Sequence, residues 1–590
     1  MSFNVPQRTD SMPSKRNHAP VASPLMRCIE KASVSKTSWT YCLFLLLSCK
    51  AMAQNTPSAG GQLLQIPAIP AAPSLSPQLQ LQQPPTSNRV ATDPQAMTVV
   101  ATHLQITGVS VYSSSELVSI SGFESGRAVT LQALYDMADK ITQHYRQDGF
   151  LVARAYLPAQ EIKDGVVTIA VMEGQYGQIN LNNTSTLSAQ MPRDVLSGLN
   201  AGDVIATAPL EERLLLLSDL PGVQVRSTLV PGAAVGLSDL IVEVKPGARL
   251  SGSVDADNAG NRYTGEHRIG ISLNVNNPTD RADLITFRGF TSGAGLQYVR
   301  AAYQAPVGRG RLGVAYSDLS YALGHTFQAL DANGHARIAT LFGNYPLVRS
   351  RNTNVNVGLA LDSKAFQDRA DAIPSLTEKR AQVATATLYG DHRDVLGFGG
   401  LSMYSLAWSS GRLNLQTPAV RTLDASTASS HGSYNKLAFA VSRSQQTAID
   451  SISLFASLSG QVASKNLDVS EKMELGGMSG VRAYPEGEAY ADQGYLLTLE
   501  ARKLLPVPFD LNGQLQLAAF VDAGAVTLNQ SPWTSTHNSR QLSGAGVGLY
   551  WTRASAFSVR MVYARKLGDG VALSAPDKSG RFWVQAVTYF

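Results

Sequence analysis

At 590 residues the chain is long enough for several folded domains, and its 44% apolar and 16% charged residues exclude a wholly disordered polymer. Its formal charge of +5 is concentrated at one end: the first 53 residues hold seven Lys/Arg and two Asp/Glu, so 42 of each sign remain of the 49 and 44 in total. From residue 54 onward the chain is neutral overall, so no polyanion-binding surface is implied and no nucleic-acid partner is expected.

In chain order, Arg27, Lys31 and Lys36 precede a short apolar run over 41–48, and Ala51-Met52-Ala53 offers a small-residue cleavage site. Residues 1–53 are therefore expected to be a signal peptide. Cys28, Cys42 and Cys49 all lie within it, so a mature chain starting at Gln54 would have no disulfide and no cysteine-bound metal. Leu46-Leu47-Ser48-Cys49 has the outline of a lipoprotein box, but Leu47 fits poorly two places before the cysteine. An internal start at Met26 would alter nothing downstream. Beyond the signal no stretch reaches the roughly 18 apolar residues of a membrane-spanning helix, so any membrane span must be a barrel.

Residues 54–96 carry eight prolines, many glutamines and no charge before Arg89. That composition buries too little apolar surface to fold, and a linker or tether is expected. Residues 61–66, with Pro67 and Pro70 close behind, are too short a stretch to assign a helix.

Residues 97–174 and 175–247 read as two copies of one small α/β module. In the first, Leu104, Ile106 and Val109 suggest a strand, and Leu131, Leu134, Ala138, Ile141 and Tyr145 line one face of a helix over 130–148 that ends at Gly149. A hairpin is expected from 152–162, turning at Asp164-Gly165 into Val167, Ile169 and Val171. The second module repeats the theme with 195–199, then Leu210, Leu214 and Leu217 on a helix stopped at Asp219-Leu220-Pro221-Gly222, then 223–229 and Leu240, Val242, Val244.

Over 248–590 helical periodicity gives way to alternation. Leu250, Gly252, Val254 and Ala256 oppose Ser251, Ser253, Asp255 and Asp257, and Ile269, Ile271, Leu273 and Val275 oppose Arg268, Gly270, Ser272 and Asn274. Leu312, Val314 and Tyr316 continue the pattern, as do Leu497, Leu499 and Ala501 against Thr498, Glu500 and Arg502, and Phe582, Val584, Ala586, Thr588 and Phe590 at the carboxy end. One face suits lipid and the other water, which predicts a transmembrane antiparallel β-barrel; at about 9–11 residues per strand plus turns, the length supports about 16 strands. A soluble β-sandwich also alternates but rarely sustains it this long.

The modules hold the runs Gly165 to Gly174, Asp219 to Val223, Leu229 to Gly232 and Ser238 to Leu240, and the barrel holds Gly476-Gly477, Val481-Arg482-Ala483-Tyr484, Gly494, Glu500-Ala501-Arg502 and Phe520-Val521-Asp522-Ala523-Gly524. In these runs the chain resembles the two-partner secretion (TpsB) transporters, which include the haemolysin and filamentous-haemagglutinin exporters. The resemblance implies two periplasmic POTRA domains before a sixteen-stranded barrel in the outer membrane of a Gram-negative bacterium. It also implies that the Arg482 motif, at the tip of a loop folded into the lumen, contacts Asp522 on the wall. Counting by twos independently puts Asp522 on the inward face, with Gln514, Gln516, Ala518 and Phe520. A carboxylate there can take a bidentate guanidinium that Lys would not reproduce, so Arg482, Tyr484 and Asp522 are the expected lumen-loop lock. Read alone, Arg482 would be a solvated loop charge. Val481, Phe520, Gly524, Glu500 and Arg502 complete the barrel motifs, and Ala483 stands where many members have Gly.

The expected partners are a secreted exoprotein in an extended state and outer-membrane lipid. Docking is expected at the edge or groove of the first module, at Val152, Arg154 and Tyr156 and at Leu134 and Ile141. The glycines of Gly544-Ala545-Gly546-Val547-Gly548 lack the Lys-Ser/Thr end of a phosphate loop, and no zinc-protease helix or nucleophile elbow occurs, so catalysis, cofactor and metal are not expected. A barrel-assembly insertase of the same superfamily shares the plan, but usually with more modules; a porin would not explain residues 97–247, nor an adhesin the inward Asp522.

Overall fold

The computed structural model describes residues 57–68, 79–81, 98–293, 295–506 and 513–590. The expected signal peptide and most of the expected linker lie outside them. No helix among the described residues is long and apolar enough to cross a membrane.

The first module is built around the helix Leu131–Gln147, whose start is capped by Thr130 accepting from the Ala133 N–H at 3.1 Å. Leu134, Met137, Ala138, Ile141 and Tyr145 are buried at helical spacing against a three-stranded sheet. In that sheet Val166–Met172 lies between His103–Thr107, parallel to it, and Arg154–Tyr156, antiparallel. The turn at Asp164-Gly165 forms with φ of 55° and 72° at the two residues, the backbone that Asp-Gly favours. The hairpin's first strand, however, is three residues rather than the run expected over 152–162. Pro158 has no N–H for the ladder. Gln160 takes over its pairing, donating to the Thr168 carbonyl and accepting from the Thr168 N–H, both at 2.7 Å.

Glu173 knits this module together. Its carboxylate accepts from the Ser110 N–H at 2.8 Å, the Val111 N–H at 2.9 Å, the Tyr145 hydroxyl at 2.8 Å and the Ser110 hydroxyl. Burial pushes its pKa up, but these donors outweigh burial and hold the carboxyl below its ordinary value. Burial, with the Glu173 carboxylate beside it, pushes the Tyr145 phenol up.

In the second module the helices Gln190–Leu196 and Thr207–Ser218 pack on a sheet in which Leu237–Pro246 lies between Val223–Pro231 and Gln175–Asn183. Arginines at the barrel's near end hold this module. Arg349 donates to Asp219 at 2.7 and 2.8 Å, Arg351 meets Glu211 at 2.9 Å, and Arg309 pairs with Glu212.

From Leu250 to Tyr589 sixteen antiparallel strands close into a barrel, the first, Leu250–Asp257, pairing with the last, Gly580–Tyr589. The alternation sorts as the sequence predicts. Ile269, Ile271, Leu312, Val314, Tyr316, Leu499, Phe582 and Phe590 are exposed on the outside, whereas Asp255, Asp257, Arg268, Ser272, Glu500 and Asp522 are buried on the inside.

Among the described residues of the region expected to be a linker or tether are a helix Ala59–Leu64 and a strand Leu79–Leu81, the latter parallel to Val223–Pro231. Both are too short to persist alone, and both are held by residues distant in sequence.

Candidate functional site

The loop 464–492 joins the strands Ile452–Ala463 and Gln493–Leu505 at the barrel end opposite the modules, then folds back onto the inner wall. Its neck is a two-residue ribbon, Met473–Glu474 against Tyr490–Ala491. At its tip Arg482 is 2% exposed. The Arg482 Nε donates to Asp522 Oδ2 at 2.8 Å and Nη2 to Oδ1 at 2.7 Å, a fork-on-fork pair, while the Arg482 backbone N–H reaches Oδ2 at 3.1 Å. The third nitrogen, Nη1, donates to Glu500 Oε1 at 2.7 Å. Glu500 Oε2 is taken by Arg502 Nε at 2.8 Å, so two guanidinium groups face two carboxylates and no charge is left unpaired.

Aromatic rings and backbone groups fix this cluster. Phe520 lies under the guanidinium, 3.4 Å from its carbon to the ring centre, and Phe455 lies 4.3 Å from that of Arg502. The Thr498 hydroxyl donates to Asp522 at 2.9 Å, and the Trp583 indole N–H donates to the Arg482 carbonyl at 2.7 Å. Tyr484 is buried beside the tip and donates to the Gly570 carbonyl at 3.1 Å. Val481 is fully buried, and Gly524 admits the loop, since a Cβ there would meet Leu475 at 2.4 Å. Ala483 is accommodated from the other side: a Cβ on Gly544 would lie 2.6 Å from the Ala483 methyl, so the missing glycine of the tip is matched by a glycine on the wall.

Further ion pairs hold the neck. Glu471 receives Lys364 at 2.7 Å and Lys436 at 3.0 Å, and Asp468 receives Lys379 at 2.8 Å. On the opposite wall Glu488 accepts from the N–H groups of Leu573 at 2.9 Å and Ser574 at 3.1 Å, and pairs with Arg540.

The helix Ala59–Leu64 sits beside this loop against the inner wall. Its orientation suits its dipole: the Ala59 N–H at its start donates to Asp368 at 2.8 Å, and the Gln65 carbonyl at its end accepts from Arg268 at 2.9 Å. Gln62 accepts from Thr264 at 2.9 Å, and Gln65 donates to Tyr490 at 2.6 Å. Gly60 lets it touch the loop, because a Cβ there would stand 2.9 Å from that of Ser470.

In the first module Arg154 and Tyr156 are exposed on an edge strand, with Ala155 between them buried. Three expected docking residues are placed otherwise. Leu134 and Ile141 belong to the closed core beneath the sheet and line no open groove. Val152 packs on the hydrophobic core of the second module, so it joins the modules rather than facing a ligand.

Trp583 escaped the sequence reading, although period-two counting from the outward Phe582 would have put it inside; Thr498 was placed on the polar face but given no role. Alternation likewise put Arg268 on the inward face, but the partners of Asp368, Arg268 and Lys364 leave no trace in it, since each gains its meaning from a segment remote in sequence.

The sequence profile of the haemolysin secretion/activation protein ShlB/FhaC/HecB matches residues 236–551, and that of the ShlB-type POTRA domain matches 99–174. The heme/hemopexin transporter protein HuxB of Haemophilus influenzae (strain 86-028NP) is 29% identical over 484 residues, covering 81% of this chain and 84% of its own. The outer membrane transporter CdiB of Dickeya dadantii (strain 3937) is 25% identical over 381 residues, covering 62% and 66%. Among solved structures, CdiB from Escherichia coli shares the fold with a TM-score of 0.65 at 20% identity, covering 95% of this chain and 100% of its own. BamA from Haemophilus ducreyi lacking POTRA domains 1–3 gives 0.51 at 13% identity, covering 83% and 100%. With its profile spanning more than half of the sequence, the chain belongs to the haemolysin secretion/activation (ShlB/FhaC/HecB) family of outer-membrane transporters.

Proposed function

We propose that the chain secretes one dedicated exoprotein, taken up unfolded from the periplasm by the two modules and passed through the barrel. The observation that carries this reading is a closed, polar-lined barrel with two separately anchored stoppers, the loop 464–492 and the helix Ala59–Leu64, against its inner wall. A pore that conducts small solutes has no need of two removable stoppers. Arg482, Tyr484 and Asp522 form the lock that sets the loop, with Glu500 and Arg502 balancing its charge. The exposed side chains of Arg154 and Tyr156 are offered to an extended polypeptide on this edge strand, whose Ala155 N–H is already held by the Thr142 hydroxyl at 2.9 Å. Transport on this reading uses no catalytic chemistry and no cofactor, and folding of the partner outside makes passage one-way.

The test compares the culture medium and the outer-membrane proteins of the native cell with and without this chain. Loss of one large secreted polypeptide, with other barrels unchanged, is the expected result. A joint fall of many outer-membrane proteins would make the chain an assembly insertase instead.

A further inference from the structure

The outer wall of the barrel carries its basic residues on one side. On the strands Ala332–Arg349, Ser375–Asp394 and Gly400–Leu415, exposed outward positions alternate with buried inward ones, so Arg337 stands between Ala336 and Ile338, Arg380 between Lys379 and Ala381, and Arg412 between Gly411 and Leu413. Nearer the modules the same outer face is apolar, with Leu341, Leu359, Leu361, Leu388, Leu406 and Trp408 exposed. That is the lipid band of a membrane barrel, and the arginines lie just beyond its edge, toward the end opposite the modules. The modules are periplasmic, so this edge lies in the outer leaflet.

Register gathers the arginines. Arg337 is paired with Ala365 on the strand Thr353–Ala370, and Ala365 with Arg380, so the two flank one small residue across two strand spacings of about 4.8 Å each. Arg412 lies opposite Gln382 on the next strand, two residues nearer the apolar band than Arg380. The short side chains of Ala365 and Ser363 leave a shallow notch between these long ones. Charge is left over there. Among the described residues Arg337 has a carboxylate partner, Asp318 at 3.2 Å, whereas Arg380, Arg412 and Arg369, farther out on the middle strand, have none. The nearby Glu378 carboxylate accepts from Gln367 at 2.9 Å. Around the rest of the wall the outward positions at this end are uncharged, as at Gln297, Gln493 and Gln541, and Arg565 is the one basic exception among the described strand residues. Solvated rim charges would be scattered and mixed in sign. These are clustered, and all are arginines, whose planar fork takes two phosphate oxygens at once.

We propose that Arg337, Arg380 and Arg412 form a site for the phosphorylated headgroup of a glycolipid in the outer leaflet, with its acyl chains lying along Leu341, Leu361 and Ala384. The site stands whether or not the chain secretes a partner. Lys364 and Lys379 hold the neck of the loop 464–492 from the inner face of two of these strands, so lipid and loop grip one wall from its two sides.

The test uses the full-length protein in detergent micelles, with bound lipid read by native mass spectrometry and barrel assembly by heat-dependent gel mobility. Bisphosphorylated lipid A, lipid A stripped of both phosphates and inorganic phosphate are each offered to the native chain and to a chain combining Arg337→Gln, Arg380→Gln and Arg412→Gln. The native chain is expected to retain the bisphosphorylated lipid alone. A basic residue beside an anionic lipid surface is worth about fivefold in affinity, so the triple variant should bind it about a hundredfold more weakly, while Arg565→Gln on the far wall should bind as the native chain does. Should the triple variant fail to assemble, Arg380→Gln alone, about fivefold weaker, carries the comparison. Three results overturn the proposal. Equal retention of the stripped lipid would leave the apolar wall as the whole site, equal binding of inorganic phosphate would make it a simple anion site, and native-like binding by the arginine variants, or equal weakening by Arg565→Gln, would make the arginines ordinary rim charges.

Discussion

The two stoppers of the barrel are held by different physics. The loop 464–492 is fastened by a buried cluster at its tip and by three lysines at its neck, most of these contacts being charge-assisted. The helix Ala59–Leu64 carries no charge and is fastened by four hydrogen bonds, the Ala59 N–H to Asp368, Arg268 to the Gln65 carbonyl, Thr264 to Gln62 and Gln65 to Tyr490, with one close glycine contact and a few buried small residues. Removing one member of a buried ion pair typically costs about 3–5 kcal/mol, whereas a hydrogen bond contributes about 0.5–1.5 kcal/mol between neutral groups and about 1.5–3 kcal/mol to a charged one. The helix is therefore the part that leaves readily, and the loop is the part whose release must be driven.

Three substitutions and one titration sharpen that contrast. Arg482→Ala leaves Asp522 and Glu500 facing each other across the inner wall, and should reduce secretion roughly tenfold or more; assembly, followed by the heat-dependent gel mobility of the barrel, should be unchanged. Arg482→Lys keeps the charge but loses the fork and the ring contact with Phe520, so an intermediate secretion level is expected in the same assay. On the weaker stopper, Gly60→Leu should push the helix off Ser470 and raise conductance in planar bilayers, with loop protection from protease unaltered. The smallest effect lies in the first module. Because the Glu173 pKa is lowered on folding, its contribution is complete above the ordinary value of 4.5 and fades as pH falls through the lowered one. Protection of the Ser110 and Val111 amides, taken relative to their intrinsic exchange rates at each pH, should therefore fall in acid, and Glu173→Gln should flatten that dependence.

The wall of the barrel was legible because lipid and water sort side chains with period two, a pattern that survives without any knowledge of neighbours. The same counting placed Asp522, and would have placed Trp583. Helical periodicity found the buried face of Leu131–Gln147, yet could not say that a sheet of the same module covers it, which is why Leu134 and Ile141 invited a docking role. A cap pattern, Ser113 three residues before Glu116, was available for the helix Ser114–Ser121 and went unused; Ser113 accepts from the Glu116 N–H at 3.3 Å. The short elements Ala59–Leu64 and Leu79–Leu81 were out of reach altogether. Their stability lies in Asp368, Arg268 and the Val223–Pro231 edge, and local propensity carries no trace of partners hundreds of residues away. The pairing of Ala483 with Gly544 has the same character, since neither position is informative until the loop is laid on the wall.

The unequal grip on the two stoppers can be measured directly by thiol labelling in native membranes. Gln62→Cys, in the helix, and Met478→Cys, near the loop tip, are both buried at the start, at 0% and 5% exposure, and each is introduced into a chain whose Cys28, Cys42 and Cys49 are serine. A membrane-impermeant maleimide should modify position 62 many times faster than position 478, because the helix opens more often than the loop. Equal rates, or faster labelling at 478, would contradict the account.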